Sequence, residues 1–245
     1  MKPFLSQLRS ELTVMARNGE QLLLILVIPL GLLVFFSLVD VLPTGSTSAI
    51  NFLVPGVIAL AVMSTAMVSL GIATGFERQY LVLKRLGATP LGANRLLAAK
   101  TSAVLMIELL QIALIAAVGL MLGWSAPATS WLSVVIAVLI GTCAFAGLGL
   151  LLAGTLRAEV NLAAQNALYL AMLLIGGIVI DQDSMPSALA NVSAALPATA
   201  LGTVLREAIS GASPFSASAW LVLAGWAILT PLLAVNLFRF APNQR

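Results

Sequence analysis

The chain has no histidine, a single cysteine (Cys143) and few charges, which make up only 9% of its 245 residues. A His-dependent catalytic triad is therefore excluded. So are an internal disulfide framework and a multi-cysteine zinc site. Soluble domains are about 25% charged. So few charges could not cover a soluble globule of this length, which excludes an ordinary cytosolic enzyme. Disorder is excluded too, because it requires low hydrophobicity and high net charge, whereas this chain is 60% hydrophobic with a net charge of +3. Aromatic residues are scarce, at 6%, and no G-x-x-x-x-G-K-[ST] run occurs. The phosphate-cradling loop of P-loop ATPases is thus missing from this sequence.

What the sequence does have is apolar length. Six runs free or nearly free of charge cover residues 21–39, 52–76, 101–124, 131–156, 162–180 and 217–238. Each can cross a hydrocarbon core of about 30 Å as a helix. The runs are continuous rather than alternating with period two, which favours helices over a barrel. The sequence therefore predicts an all-α membrane protein with six transmembrane helices in a single domain over 1–245. With the N-terminus taken as cytoplasmic, eleven of the twelve Lys and Arg residues fall inside, and Arg206 falls outside. This positive-inside bias predicts that both termini are cytoplasmic. It also accounts for the basic balance without nucleic acid. The first run is longer than a signal-peptide core and no small-residue cleavage site follows it, so it reads as a span.

Three segments between the spans carry patterns of their own. In residues 1–17, Phe4, Leu5, Leu8, Leu12 and Met15 recur at helical spacing, with Lys2, Arg9 and Arg17 off that arc. This predicts a basic amphipathic helix, either in the membrane interface or packed on the bundle. Residues 75–100 form the longest inside connection, with five basic residues. There Phe76, Tyr80 and Leu83 stack as one short helix. Gly87 can cap it, and Thr89-Pro90 can start the helix that enters the third span. The segment is either a rigid element presented to a cytosolic partner or a plain basic loop. Residues 181–216 hold the apolar stripe Leu201, Val204, Leu205 and Ile209, bounded by Pro197 and Gly211. That stripe is too short to span, so it predicts a re-entrant helix or a surface helix on the outer side.

Two groups of residues here resemble a known family. Glu77-Arg78, then Thr89-Pro90, then Leu96-Leu97-Ala98-Ala99-Lys100 is similar to the signature of ABC-2 type transporter permeases. Gly176-Gly177, Met185-Pro186, Leu196-Pro197-Ala198-Thr199 and Arg206 resemble a second run of that family, after the fifth span. Ala198-Thr199 departs from the hydrophobic-Thr-aromatic sequence common there. The branch resembled is that of daunorubicin-resistance permeases. The resemblance implies a bacterial plasma-membrane subunit acting as a homodimer or with a homologue, on two cytosolic ABC ATPase subunits. ATP and Mg would be bound by those subunits and no cofactor by this chain. It also implies that Glu77, Arg78, Tyr80, Lys84, Arg85, Thr89 and Pro90 form the ATPase-coupling element.

Several polar residues lie within the apolar runs. Glu108 sits on the order of 10 Å into the third span, where a carboxylate costs a few kcal/mol. Its readings are a translocation-path residue or a satisfied interhelical bond, with Gln111 one turn on as partner. Gln111, Gln165 and Asn166 are further path candidates, or interhelical hydrogen bonders. Gly141, Gly147, Gly149 and Gly154 read as close-packing positions, and Cys143 as inert. Pro197, Leu201, Val204 and Leu205 are the candidate outer gate. The function expected is export of amphiphilic or lipophilic compounds by alternating access. Rival readings are a polysaccharide or lipid-linked glycan exporter, an intramembrane enzyme and a secondary transporter. The first is disfavoured by scarce aromatics, the second by an isolated Glu108, and the third by the lack of a convincing repeat.

Overall fold

A computed structural model describes residues 2–39, 49–87, 92–125, 130–177, 186–210 and 215–238. Among these residues there are helices and no strands. The elements are α1 (Lys2–Arg17), α2 (Gly19–Leu38), α3 (Ala49–Val62), a π-helical segment (Met63–Ser69), α4 (Leu70–Gln79), α5 (Val82–Gly87), α6 (Gly92–Met121), α7 (Trp131–Thr155), α8 (Ala158–Ile175), α9 (Ser187–Ala194), α10 (Pro197–Ser210) and α11 (Ala217–Leu237). Six helical stretches are long and apolar enough to span, in the order predicted: Gly19–Leu38, Ile50–Gln79, Asn94–Met121, Trp131–Thr155, Ala158–Ile175 and Ala217–Leu237.

The bundle is built around its second span. There 83% of the apolar window is buried, against 11% for the first span and 17% for the last. This span is not one α-helix. It passes from α3 through the π-helical turns Met63–Ser69 into α4. Met63, Thr65, Ala66 and Met67 are buried there. The π segment was not foreseen; its residues Met-Ser-Thr-Ala-Met-Val-Ser carry no Gly or Pro to mark it. It is held from two sides, by Thr65 Oγ1 donating to Gln111 Oε1 at 2.9 Å and Gln21 Nε2 donating to Ser69 Oγ at 2.6 Å. Span α7 lies along it and along α11, with Gly149 facing Met67 and Gly147 facing Pro231.

Helix ends follow local chemistry. The third span stops at Met121 rather than Trp124, because Gly123 takes φ 88°. Trp124 N–H then reaches back to the Gly119 carbonyl at 2.8 Å, and Gly123 N–H to that of Leu120 at 3.2 Å. This double bond is a Schellman cap. The fifth span stops at Ile175, before Gly176 and a left-handed Gly177 (φ 66°). The expected end near 180 lies outside the described residues. The predicted helix through Phe76, Tyr80 and Leu83 is broken. Leu81 has φ 61° and separates α4 from α5. Phe76 and Tyr80 still stack, with ring centroids 6.3 Å apart. Leu83 instead turns inward onto Leu96, Leu86 and Phe238.

Candidate functional site

The basic end of the bundle is organised by three consecutive residues at the C-terminal end of α4. Glu77 faces Lys100 of α6, whose Nζ lies 2.9 Å from Oε1 and 2.7 Å from Oε2. The same Nζ lies 3.0 Å from Glu11 Oε2 of α1. Lys100 is only 2% exposed, so its charge is held by two carboxylates rather than by water. Arg78 turns the other way and is also buried. Its Nη1 donates to the Ala153 and Leu156 carbonyls at 3.0 and 2.8 Å. These belong to the last turn of α7, where carbonyls lack helical partners and favour a cation. Gln79 Nε2 donates to Glu159 Oε1 at 2.8 Å, in the first turn of α8.

The proposed coupling residues thus divide into two groups. Glu77 and Arg78 point inward and bind the end of α4 to α1, α6 and α7. Tyr80 (69% exposed), Leu81, Val82, Lys84 and Arg85 form an exposed tip. Thr89 and Pro90 lie outside the described residues. Sequence reasoning missed Glu11, which lies 89 positions before Lys100 on a helix read only for its apolar stripe.

The polar residues of the spans do not converge. Glu108 is fully buried, and its Oε2 is hydrogen-bonded with the Thr142 hydroxyl of α7 rather than with Gln111. Thr142 Oγ1 also lies 2.8 Å from the Val138 carbonyl. One hydroxyl carries one proton, so Thr142 donates to only one of the two. Gln111 ties three spans: it accepts from Thr65, and its Nε2 donates to the Ile25 carbonyl at 2.8 Å. Gln165 is buried on α8 and donates to the Gly149 carbonyl at 3.0 Å and to Asn161 Oδ1 at 3.2 Å. Asn161 Nδ2 donates to the Gly71 carbonyl at 2.9 Å. Asn166, by contrast, is exposed and bonded only to its own helix, at the Leu162 carbonyl.

The α4–α8 contact has a sequence signal that was missed. Gly71 and Gly75 are four apart, and so are Asn161 and Gln165 opposite them. A Cβ on Gly75 would sit 2.5 Å from Asn161 Nδ2, and one on Gly71 would overlap the Gln165 amide. The two glycines therefore clear room for two amides on the facing helix, a variant of small-x-x-x-small packing.

At the opposite end, α9 and α10 meet at 83°. α10 is enclosed by α3, α7 and α11, with Leu201, Val204 and Leu205 at 0% exposure. Pro197 opens it. Arg206 Nη2 donates to the Gly177 carbonyl at 2.6 Å, and its guanidinium lies 4.6 Å from the Phe52 ring centroid. Ala198 is buried, and Thr199 pairs with Ser193 at 3.0 Å. Ala200, at the aromatic's place in the family pattern, is buried as well, so the departure puts a small residue where the bend is enclosed.

The family model described as ABC-2 type transporter matches residues 4–210. The chain belongs to the ABC-2 type transporter family. No curated protein matches this permease. The matched stretch runs from α1 through α10 and includes both ends just described. A membrane subunit of an ABC transporter is a transport component rather than an enzyme, and the family implies an ABC ATPase as partner.

Proposed function

We propose that this permease is the membrane subunit of a bacterial plasma-membrane exporter of amphiphilic or lipophilic compounds. It works as a dimer above two ATPase subunits, which bind ATP and Mg. Both termini are cytoplasmic in this reading, α1 lies at the inner interface, and α9–α10 re-enter the membrane from outside. The observation that carries the proposal is the contrast at the end of α4. An exposed tip of Tyr80, Lys84 and Arg85 stands on a base fastened to α1, α6, α7 and α8. A displacement of the tip is passed to four helices at once. The ATPase supplies the displacement because its ATP-bound and ATP-free states bind the tip with different affinity. Among the four path candidates Asn166 is the exposed one, which supports reading it as a residue that lines a path between two copies. Leu201, Val204 and Leu205 plug the outer end.

The test is co-purification of the permease with its ATPase, followed by ATP hydrolysis and export assays. Charge reversal at the tip (Lys84→Glu with Arg85→Glu) is expected to lower ATPase retention at least tenfold while leaving the fold intact. Retention and coupled hydrolysis equal to wild type would overturn the coupling assignment.

A further inference from the structure

At the end of the bundle opposite the basic one, a pocket of about 160 Å³ opens where three helix ends meet. Ser130 and Ser133 at the start of α7, Glu207 in the last turn of α10, and Phe215 and Trp220 around the start of α11 all line it. Ser130 N–H donates to the Ala208 carbonyl at 2.8 Å, which fastens α7 to α10. Glu207 Oε2 accepts from the Ser216 N–H at 3.1 Å, which fastens α10 to α11. Trp220 is half-buried and packs on the core, whereas Phe215 is 75% exposed. The volume is below the about 300–1,000 Å³ of sites for drug-sized molecules, so a headgroup fits rather than a whole amphiphile. Trp131 and Trp220 lie in the first turns of two spans, α7 and α11. Tryptophans so placed mark the headgroup level of a bilayer.

The pocket is polar in two opposite senses. On one side stands the Glu207 carboxylate. Its Oε2 is engaged with Ser216, and its Oε1 has no hydrogen-bond or ion-pair partner among the described residues. The C-terminal end of α10 adds partial negative charge, and aromatic rings such as those of Phe215 and Trp220 attract cations. Arg206, the one basic residue predicted for this end, is engaged with the Gly177 carbonyl and the Phe52 ring instead. On the other side stands the start of α7. No side chain caps it, so its first-turn N–H groups and partial positive charge face an anion favourably. The Ser130 and Ser133 hydroxyls lie 2.9 Å apart; one donates to the other, which leaves one proton for a further acceptor. The start of α11 does not compete, because the Ser216 hydroxyl already accepts from the Ala219 N–H. A simple cation would leave the α7 side unmatched, and a simple anion would meet Glu207. A small zwitterion matches both.

We infer that this pocket binds the phosphoethanolamine headgroup of a membrane lipid, with the ammonium on Glu207 beside Phe215 and Trp220. The phosphate sits on the start of α7 with Ser130 and Ser133. A primary ammonium donates a hydrogen bond to Glu207 Oε1, which the methylated nitrogen of a choline headgroup cannot do. A glycerol headgroup brings the phosphate without the cation. The inference does not rest on the export reading, because binding is measured without ATPase or transport.

The experiment uses the purified full-length chain, stripped of lipid in detergent, and native mass spectrometry. Dioleoyl-phosphatidylethanolamine, dioleoyl-phosphatidylcholine and dioleoyl-phosphatidylglycerol are added one at a time, so that the tails are equal. Wild type is expected to retain phosphatidylethanolamine at least fivefold more tightly than either other lipid. Glu207→Gln keeps an acceptor for the Ser216 N–H but removes the charge, and is expected to erase that preference. Phe215→Ala changes an exposed residue without touching the core, and is expected to weaken phosphatidylethanolamine retention several-fold should Glu207→Gln fail to fold. Soluble phosphoethanolamine separates the two sources of this chemistry: it is expected to displace the lipid only at a concentration at least a hundredfold above the lipid's own. Equal retention of the three lipids, a preference undiminished in either folded variant, or displacement by soluble phosphoethanolamine at the lipid's own concentration would each overturn the inference.

Discussion

Replacing Lys100 by methionine tests the buried charge cluster at the end of α4. Methionine keeps most of the length of the side chain and its apolar stem but deletes the ammonium. Glu11 and Glu77 then face each other across a site that was only 2% exposed at its centre. Loss of one member of a buried ion pair costs about 3–5 kcal/mol. Glu77 and Glu11 are 25% and 12% exposed, so water can reach them in part and the lower end of that range applies. In a chain of this size 1 kcal/mol moves the melting temperature by roughly 2–4 °C. A drop on the order of 6–12 °C is therefore expected in thermal unfolding of the detergent-solubilised permease. The order of the variants matters more than the size. Glu11→Gln and Glu77→Gln each leave Lys100 one carboxylate, so both are expected to cost less than Lys100→Met. Adding Glu77→Gln to Lys100→Met removes one of the two uncompensated charges and is expected to restore part of the loss. A Lys100→Met permease that melts with wild type, or a double variant less stable than the single one, would refute this account of the cluster.

Two further predictions concern the backbone. Gly71→Val places a branched side chain where the Gln165 amide now sits; it is expected to cost about 1–3 kcal/mol as overpacking, read as lowered thermal stability, with Ile72→Val as a nearby control. Leu81 holds a left-handed conformation that costs a non-glycine residue about 1–3 kcal/mol. Leu81→Gly relieves that strain at an entropic cost of about 1 kcal/mol, so its melting temperature is expected to match or exceed that of wild type.

Much of this architecture is legible in the sequence because a membrane span writes itself as a run of apolar residues. The six runs and their order needed nothing more. The directions of polar side chains at helix ends were not legible. Glu77, Arg78 and Gln79 look alike as a charged exit from a span, and only their neighbours decide which way each turns. Those neighbours, Glu11, Lys100, Ala153, Leu156 and Glu159, are 23 to 80 positions distant. The π-helical turns left no trace because they are stabilised by Gln111 and Gln21 from other helices rather than by their own residues. The pairing of Gly71 and Gly75 with Asn161 and Gln165 was visible as two equal spacings, but nothing in one sequence says that two such spacings meet. Glu108 stood out as a buried acid; that its partner is Thr142, on another helix, depends on how α6 and α7 are rotated.

The end of α4 has a mechanical consequence. Successive residues on a helix point about 100° apart, so Glu77, Arg78 and Gln79 reach across about 200° of its circumference. Each is fastened to a different neighbour. A rod pinned in three directions at one end cannot roll about its axis or tilt toward either side without breaking one of these contacts. Its remaining freedom is to travel together with what it is pinned to. The tip beyond Leu81 is therefore the handle of a block rather than a hinge. A push on it moves the whole basic end of the bundle as one piece, and flexing is left to parts of the second span farther from that end.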